Sequence, residues 1–261
     1  MARLMGVVNV TPDSFSDGGL YLDPEAAIAH GRELAAAGAE ILDVGGESTR
    51  PGAEAVPEDE ELRRVVPVVA GLVAAEKRVS VDTSKAAVAA AALDAGAEIV
   101  NDVTALRGDP GTAALCAERG ATVVLMHMLG EPRTMQDDPR YDDLVSEVKA
   151  FLAERLEVAI AAGVAEERVW LDPGIGFGKT AAHNIELLRR LGELRDLGRP
   201  LVIGTSRKSF IGRVDGSPAD GRLGGTIASS VLAAAEGAEV LRVHDVAEAK
   251  QALAVATAIL G

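Results

Sequence analysis

Apolar residues along this chain fall in short, nearly unbroken runs: LMGVVNV at 4–10, EILDVG at 40–45, RVSVD at 78–82, EIVNDV at 98–103, TVVLMH at 122–127, RVWLD at 168–172, LVIGT at 201–205 and EVLRVH at 239–244. Runs of this length and β-branched content describe strands covered on both faces, as in a parallel sheet flanked by helices. Four of them follow the same phrase, an Ala-rich stretch closed by glycine, at Gly38, Gly96, Gly120 and Gly237. Glycine there ends a helix and lets the chain turn into the strand. The intervening segments carry helical patterns. Asp23-Pro24-Glu25 and Ser84 read as helix starts, and the longest helix covers about 142–162. Eight such strands alternating with helices in 261 residues match a closed (β/α)8 TIM barrel of the α/β class, with an open doubly wound sheet as the alternative. No Pro/Gly/Ser-rich linker divides the chain, so 1–261 reads as one domain.

A hydrophobic content of 48% supports a large core and excludes disorder. The formal charge of −14 leaves no broad basic surface, so nucleic acid is not an expected partner and any anionic ligand must be met locally. The longest run without a charged or polar side chain, 65–75, falls well short of the roughly 20 residues of a membrane span. The first residues lack the layout of a secretory signal, and the expected compartment is the cytoplasm. Cys116, the single cysteine, lies in GTAALCAERG and reads as helix core rather than as a nucleophile. Five Asn and Gln in all, with Arg favoured over Lys, fit either a hot habitat or a biased genome.

A strand enclosed on both faces has no structural use for polar residues at its end, yet nearly every run finishes in them. The first ends in Asn9, the second runs into Glu47-Ser48-Thr49-Arg50, and the third ends in Asp82 followed by Ser84 and Lys85. Asn101 and Asp102, then Met126 and His127, then Asp172 finish the next three. The seventh leads into Ser206-Arg207-Lys208, and the eighth holds Arg242 and His244 with Asp245 behind. In a parallel barrel these ends open on one rim, where active sites of the architecture are built. Plainer alternatives stand beside each: Asp82, Asp172 and Asp245 as helix caps, His127 as a satisfied core histidine, Lys208 as a surface lysine, and His30 as a solvent-facing helix residue. Asn101 and Asp102 are adjacent and point to opposite faces, so Asp102 reads as a structural partner. Arg242 and His244, two apart, share a face and together resemble an anion site. The long loops 11–23 and 45–57 suit lids. DPGIGFGK at 172–179 lacks the spacing of a dinucleotide-binding fingerprint.

The segments NVTPDSFSDGG, GGESTRPGA, VDTSK, NDV, MHM, DPGIGFGK, TSRKSFIG and RVHDV occur together and in order, and through them residues 6–245 resemble the dihydropteroate synthases. That resemblance implies a (β/α)8 transferase of folate synthesis. Such an enzyme joins 6-hydroxymethyl-7,8-dihydropterin diphosphate to p-aminobenzoate through dissociative loss of diphosphate. Asp172 and Asn101 would then meet the donor edge of the pterin, Lys208 its carbonyl edge and N5, and Asp82 the region of N8. Val103, Met126, Phe177 and Gly204 would line the ring. Arg242, His244 and Asn9 would hold the diphosphate, with Asn9 also contacting Mg2+. Phe15, Thr49, Arg50, Pro51, Phe177, Ser206 and Lys208 would receive p-aminobenzoate. Asp82, Asp172, Lys208, Arg242 and His244 form the implied catalytic set. The resemblance also implies a homodimer and sensitivity to sulfonamides. A methyltetrahydrofolate:corrinoid methyltransferase is the nearest alternative, but it has no need of a diphosphate clamp. A Schiff-base aldolase using Lys208 and a non-catalytic pterin binder are the others.

Overall fold

The computed structural model describes residues 2–11, 23–48, 55–131 and 133–261. All eight expected strands form: β1 (Arg3–Asn9), β2 (Ile41–Gly45), β3 (Val79–Asp82), β4 (Ile99–Asp102), β5 (Thr122–Met126), β6 (Val169–Asp172), β7 (Val202–Ile203) and β8 (Val240–Val243). Every pairing is parallel, in the order β6-β5-β4-β3-β2-β1-β8-β7. The two outer strands meet through a parallel bridge between Leu171 and Leu201 and a hydrogen bond from the Leu171 amide to the Pro200 carbonyl at 2.9 Å. The ring is thereby closed, and the open-sheet alternative is excluded.

Helices α1 (Pro24–Ala37), α2 (Glu58–Val73), α3 (Ala86–Asp94), α4 (Gly111–Arg119), α5 (Leu144–Ala161), α6 (Ala181–Arg189), α7 (Ser209–Asp215), α8 (Leu223–Ala235) and α9 (Val246–Leu260) surround it. Each buries one face against the strands. In α2, Glu61, Val65, Val68, Val69 and Leu72 are buried, an i, i+4, i+7, i+8, i+11 stripe. No side chain caps that helix, but four acids in its first turn oppose the positive end of its dipole. Cys116 is fully buried in α4, and burial pushes its thiol up to about 12, so it is core.

Local capping departs from expectation at two places. Asp23 caps α1 as expected, accepting from the Glu25 amide at 3.2 Å. Ser84 does not cap α3; Asp109, 23 residues away, accepts from the Ala86 amide at 3.0 Å instead. Asp245 occupies the N-cap position of α9, yet its carboxylate takes two hydrogen bonds from Arg207, at 3.1 and 2.6 Å. A fork of two charge-assisted bonds outweighs one amide cap. His30 is also not solvent-facing: its side chain is 17% exposed, on a helix packed between neighbours.

Inside the ring lies a separate apolar layer of Met5, Ile41, Ile99, Val124, Trp170, Val202 and Val240. The Arg3 guanidinium stacks over Trp170 at 4.6 Å. Above this layer the β6–α6 loop turns back onto β5, and Gly174 makes the turn with φ +69, where a methyl would be driven into the His127 carbonyl oxygen. We therefore expect Gly174→Ala to lose about 3 kcal/mol or more of stability, from a left-handed backbone plus a backbone clash, read by denaturant unfolding. Native stability in that variant would show that the loop does not need this approach.

Candidate active site

Side chains two apart along a strand face the same way. Two positions beyond Ile41 stands Asp43, beyond Ile99 Asn101, beyond Val124 Met126, beyond Trp170 Asp172, beyond Val202 Gly204, and beyond Val240 Arg242. Each of these six strands thus turns its next inward position toward the mouth, while β1, which contributes Met5, has the buried Val7 there. Strand register links them further: Asp82 pairs with Asn101, and Met126 with Asp172. Asn9, at the end of β1, pairs with Gly45, which pairs with Asp82. Asp102 points outward, accepting from the Thr104 amide and hydroxyl and the Leu106 amide at 2.7 to 2.8 Å, a structural partner as expected.

Arg242 organises the centre. Its Nε donates to Asp43 at 2.6 Å and its NH2 to Asp82 at 2.8 Å, while Asn101 donates to the same Asp43 oxygen at 3.1 Å. Two carboxylates therefore share one guanidinium out of bulk water. Burial pushes Asp82 up to about 7, with Arg242 pulling down and Asp43 pushing up. Burial also raises Asp172, to about 6, against the Gly174 amide that it accepts at 2.7 Å and the charges of Lys208, Arg242 and Lys179. Neither Asp82 nor Asp172 caps a helix: one pairs with Arg242 and the other closes a turn.

Val103, Met126, Met128, Met135 and Phe177 form one apolar cluster beside these acids, and the Lys208 ammonium sits 4.0 Å from the Phe177 ring centre. His244 Nδ1 and the Ser206 hydroxyl are 2.9 Å apart. A cavity of about 390 Å³, of a size that holds a small ligand, opens alongside and is lined by Glu47, Asp82, Thr83, Val103, Arg107 and Met128 among others. The predicted residues Asn9, Asp82, Asn101, Val103, Met126, Asp172, Phe177, Gly204, Ser206, Lys208, Arg242 and His244 all belong to this rim. Phe15, Thr49, Arg50 and Pro51 lie outside the described residues.

Four features escaped the sequence reading. Asp43, fully buried, had one signal, a lone acid inside the apolar run EILDVG. Lys85 donates to Glu47 at 2.5 Å and to the buried Glu61, an ion triad joining three elements. Lys179, only 2% exposed, donates to His127 Nδ1 at 2.8 Å and to the Phe177 carbonyl at 3.1 Å. His127 is thus a satisfied buried histidine, held neutral by burial and the adjacent ammonium, at about 3. Met128 and Met135 complete the apolar wall.

Buried acids and an amide facing two cations across an apolar wall define a (β/α)8 barrel built to hold a flat, donor-rich heteroaromatic ring. The profile of the pterin binding enzymes matches residues 5–244. The dihydropteroate synthase of Escherichia coli is 47% identical over 99% of this chain and 92% of its own. The Yersinia pestis dihydropteroate synthase in complex with a sulfonamide drug superimposes with a TM-score of 0.96 at 46% identity, covering 99% of this chain and 94% of that one. The Xanthomonas albilineans dihydropteroate synthase with 4-aminobenzoic acid gives 0.93 at 52% identity, covering 100% and 93%. This chain belongs to the dihydropteroate synthase family of pterin-binding enzymes.

The raised Asp172 has a thermodynamic consequence. A carboxyl that holds its proton more tightly folded than unfolded loses stability as pH rises, here between about 4 and 6, and keeps that deficit above. Asp172→Asn lacks the deficit. Its stability relative to the native chain should therefore climb by about 2 to 3 kcal/mol between pH 4 and pH 8, measured by urea unfolding. A difference that does not vary with pH would place Asp172 in its ordinary range.

Proposed function

We propose that this rim condenses 6-hydroxymethyl-7,8-dihydropterin diphosphate with p-aminobenzoate, giving 7,8-dihydropteroate and diphosphate in folate synthesis. The observation that carries the proposal is the facing of Asp172 and Asn101 against Lys208 and Arg242 across one apolar-walled bowl, in a chain of this family. The pterin's adjacent N–H donors match a carboxylate with two acceptor oxygens, and Asp172 keeps one oxygen engaged by Gly174 so that its plane is set. Asn101 adds a neutral partner whose orientation is fixed by Asp43. Met126, Val103 and Phe177 wall the ring. Gly204, with no side chain, leaves the floor open. Lys208 supplies a donor to the carbonyl edge and N5, its ammonium held near the Phe177 face.

As the C–O bond to diphosphate breaks, positive charge spreads from the methylene into the ring and negative charge gathers on the leaving group. Asp82 and Asp172 favour the first, Arg242 and His244 the second. Two of the five guanidinium donors of Arg242 go to Asp43 and Asp82, which leaves three for diphosphate oxygens. The p-aminobenzoate amine is nucleophilic without a strong base, and Ser206, Lys208 and Phe177 with Phe15, Thr49, Arg50 and Pro51 would shape its pocket. Sulfonamides, as mimics of p-aminobenzoate, would compete there.

The donor set fits Mg2+ that arrives with substrate rather than one held by protein alone. Among the described residues no three His, Cys, Asp or Glu gather as a metal site, and Asn9 offers one neutral amide beside the diphosphate position. Phosphate oxygens and waters would complete the coordination, and the bound ion would neutralise charge on the departing diphosphate. The methyltransferase and aldolase alternatives have no comparable use for Arg242 and His244.

No described helix is long and apolar enough to cross a membrane, and the expected setting is the cytoplasm. A homodimer is supported by exposed apolar residues on the adjoining α8 and α9: Leu232 at 65%, Val255 at 55% and Ile259 at 77%. Sedimentation at micromolar concentration should give twice the chain mass; a monomer mass would remove this reading.

Formation of 7,8-dihydropteroate should require both p-aminobenzoate and Mg2+, and Asp82→Asn should slow turnover by roughly 10² to 10³ with less effect on pterin affinity. A product that does not incorporate p-aminobenzoate would end the synthase reading, and near-native turnover in the variant would remove Asp82 from the mechanism.

A further inference from the structure

Lys179 takes no part in the mechanism above, although it is the most deeply buried cation among the described residues. A lysine has four methylenes with which to reach water, and an ammonium kept from it costs several kcal/mol unless held. Its two hydrogen-bond partners, His127 Nδ1 and the Phe177 carbonyl, are both neutral. The negative charge that acts on it is that of Asp172. The chain links back as well, since the His127 amide donates to the Asp172 carbonyl at 2.9 Å. Around this unit the β6–α6 loop is fastened from outside: Gln136 donates to the Gly176 carbonyl at 2.7 Å, Tyr141 to that of Gly178 at 2.8 Å, and the Gly176 amide to Asn184 at 2.6 Å. Lys179 fastens the same loop from beneath.

We propose that Lys179 is a positioning residue for the pterin anchor: its buried amine, seated on His127 and the Phe177 carbonyl, sets the loop that carries Phe177 and, when protonated, favours the Asp172 carboxylate. This rests on the reading of Asp172 as the group that meets the pterin. Burial brings Lys179 down to about 7 and Asp172 up to about 6, and against that burial the Asp172 charge raises Lys179 while the Lys179 charge lowers Asp172. Pterin donors on Asp172 favour the carboxylate, and the carboxylate in turn favours the ammonium. Other charges bear on the pair from neighbouring elements. Lys208, ahead of α7, and Arg242, on β8, lower Asp172; Lys208 also lowers Lys179. Arg107, after β4, lowers His127. Tyr141, ahead of α5, has its phenol raised by burial and stays neutral, with His183 of α6 packed edge-to-face beyond it at 5.2 Å.

The test is calorimetric binding of 6-hydroxymethylpterin between about pH 5 and pH 9 by the native chain, Lys179→Met, Lys179→Arg and Asp172→Asn, with steady-state kinetics for both substrates. In Lys179→Met the acid-side loss of pterin binding should move up by about one pH unit, and KM for the pterin substrate should rise about ten-fold at pH 5 and about two-fold at pH 7. KM for p-aminobenzoate should change less than about two-fold, and Lys179→Arg should restore part of the pH profile. A Lys179→Met profile that overlays the native one overturns the inference. Native affinity in Asp172→Asn would instead overturn the reading of Asp172 itself. If Lys179→Met does not fold, carbon-13 and nitrogen-15 resonances of Asp172 and Lys179 in the native protein decide: linked titration supports the pair, and independent titration overturns it.

Discussion

Closure of a parallel sheet is the constraint on which the rest depends. An open parallel sheet of eight strands would leave two edges of unpaired amides and carbonyls; here β8 pairs with β1, and the Leu171–Leu201 bridge brings β6 to β7. Once the ring is closed with all strands running one way, every strand end opens on one rim. Side-chain alternation then divides the interior by height. One inward layer is apolar and fills the bottom, and the next, two residues on, holds Asp43, Asn101, Asp172 and Arg242 beside Val7 and Met126. The same residue parity that makes Val240 core makes Arg242 part of the mouth.

What can stand in that second layer is limited by charge. Asp43, Asp82 and Asp172 face Arg242, Lys179 and Lys208 in a space mostly shielded from solvent. Isolated charges there would each cost several kcal/mol, and the near balance of signs is what makes the layer tolerable. The balance is incomplete. One oxygen of Asp43 has no hydrogen-bond partner among the described residues, and burial keeps Asp82 and Asp172 well above the ordinary carboxylate range. Residual cost of this kind concentrates at functional sites, where a ligand that brings donors relieves it. The rim by itself is therefore less stable than an apolar one would be, and more selective for a ring rich in N–H groups.

The strands, their inward ends and most of the rim were legible because strand burial and alternation are local signals. Helix capping was legible where it too is local, as at Asp23, and failed where a distant group supplied the contact, as with Asp109 at α3 and Arg207 at Asp245. Asp43 and Arg242 are 199 residues apart, so no window of sequence joins them. Lys179 is harder still: a lysine closing a glycine-rich loop ordinarily points to water, and only the folding of that loop onto β5 encloses it. His30 was misread because an Ala-rich helix looks like a solvent-facing one in composition, whereas small residues also let neighbouring helices approach and cover the larger side chains between them.

The rim is built on two kinds of support, and this separates the handling of its two proposed ligands. The residues assigned to the pterin stand mainly on strand ends, with positions set by the backbone ladder and by partners that are themselves buried. The residues assigned to p-aminobenzoate stand mostly beyond the strands. The stems of the second long loop are nonetheless tied to the barrel: Glu47 accepts from the Val56 amide at 3.1 Å while bound to Lys85, and Arg64 donates to the Gly46 carbonyl at 2.9 Å. Lys85 follows directly on the strand that carries Asp82, and its other partner, Glu61, belongs to α2. A change within the loop can therefore alter recognition of the second ligand while the ion triad keeps the loop's base, and the Asp82–Arg242 pair behind it, in place. Such a division lets a single barrel hold its ring-binding geometry constant and vary the acceptor side independently.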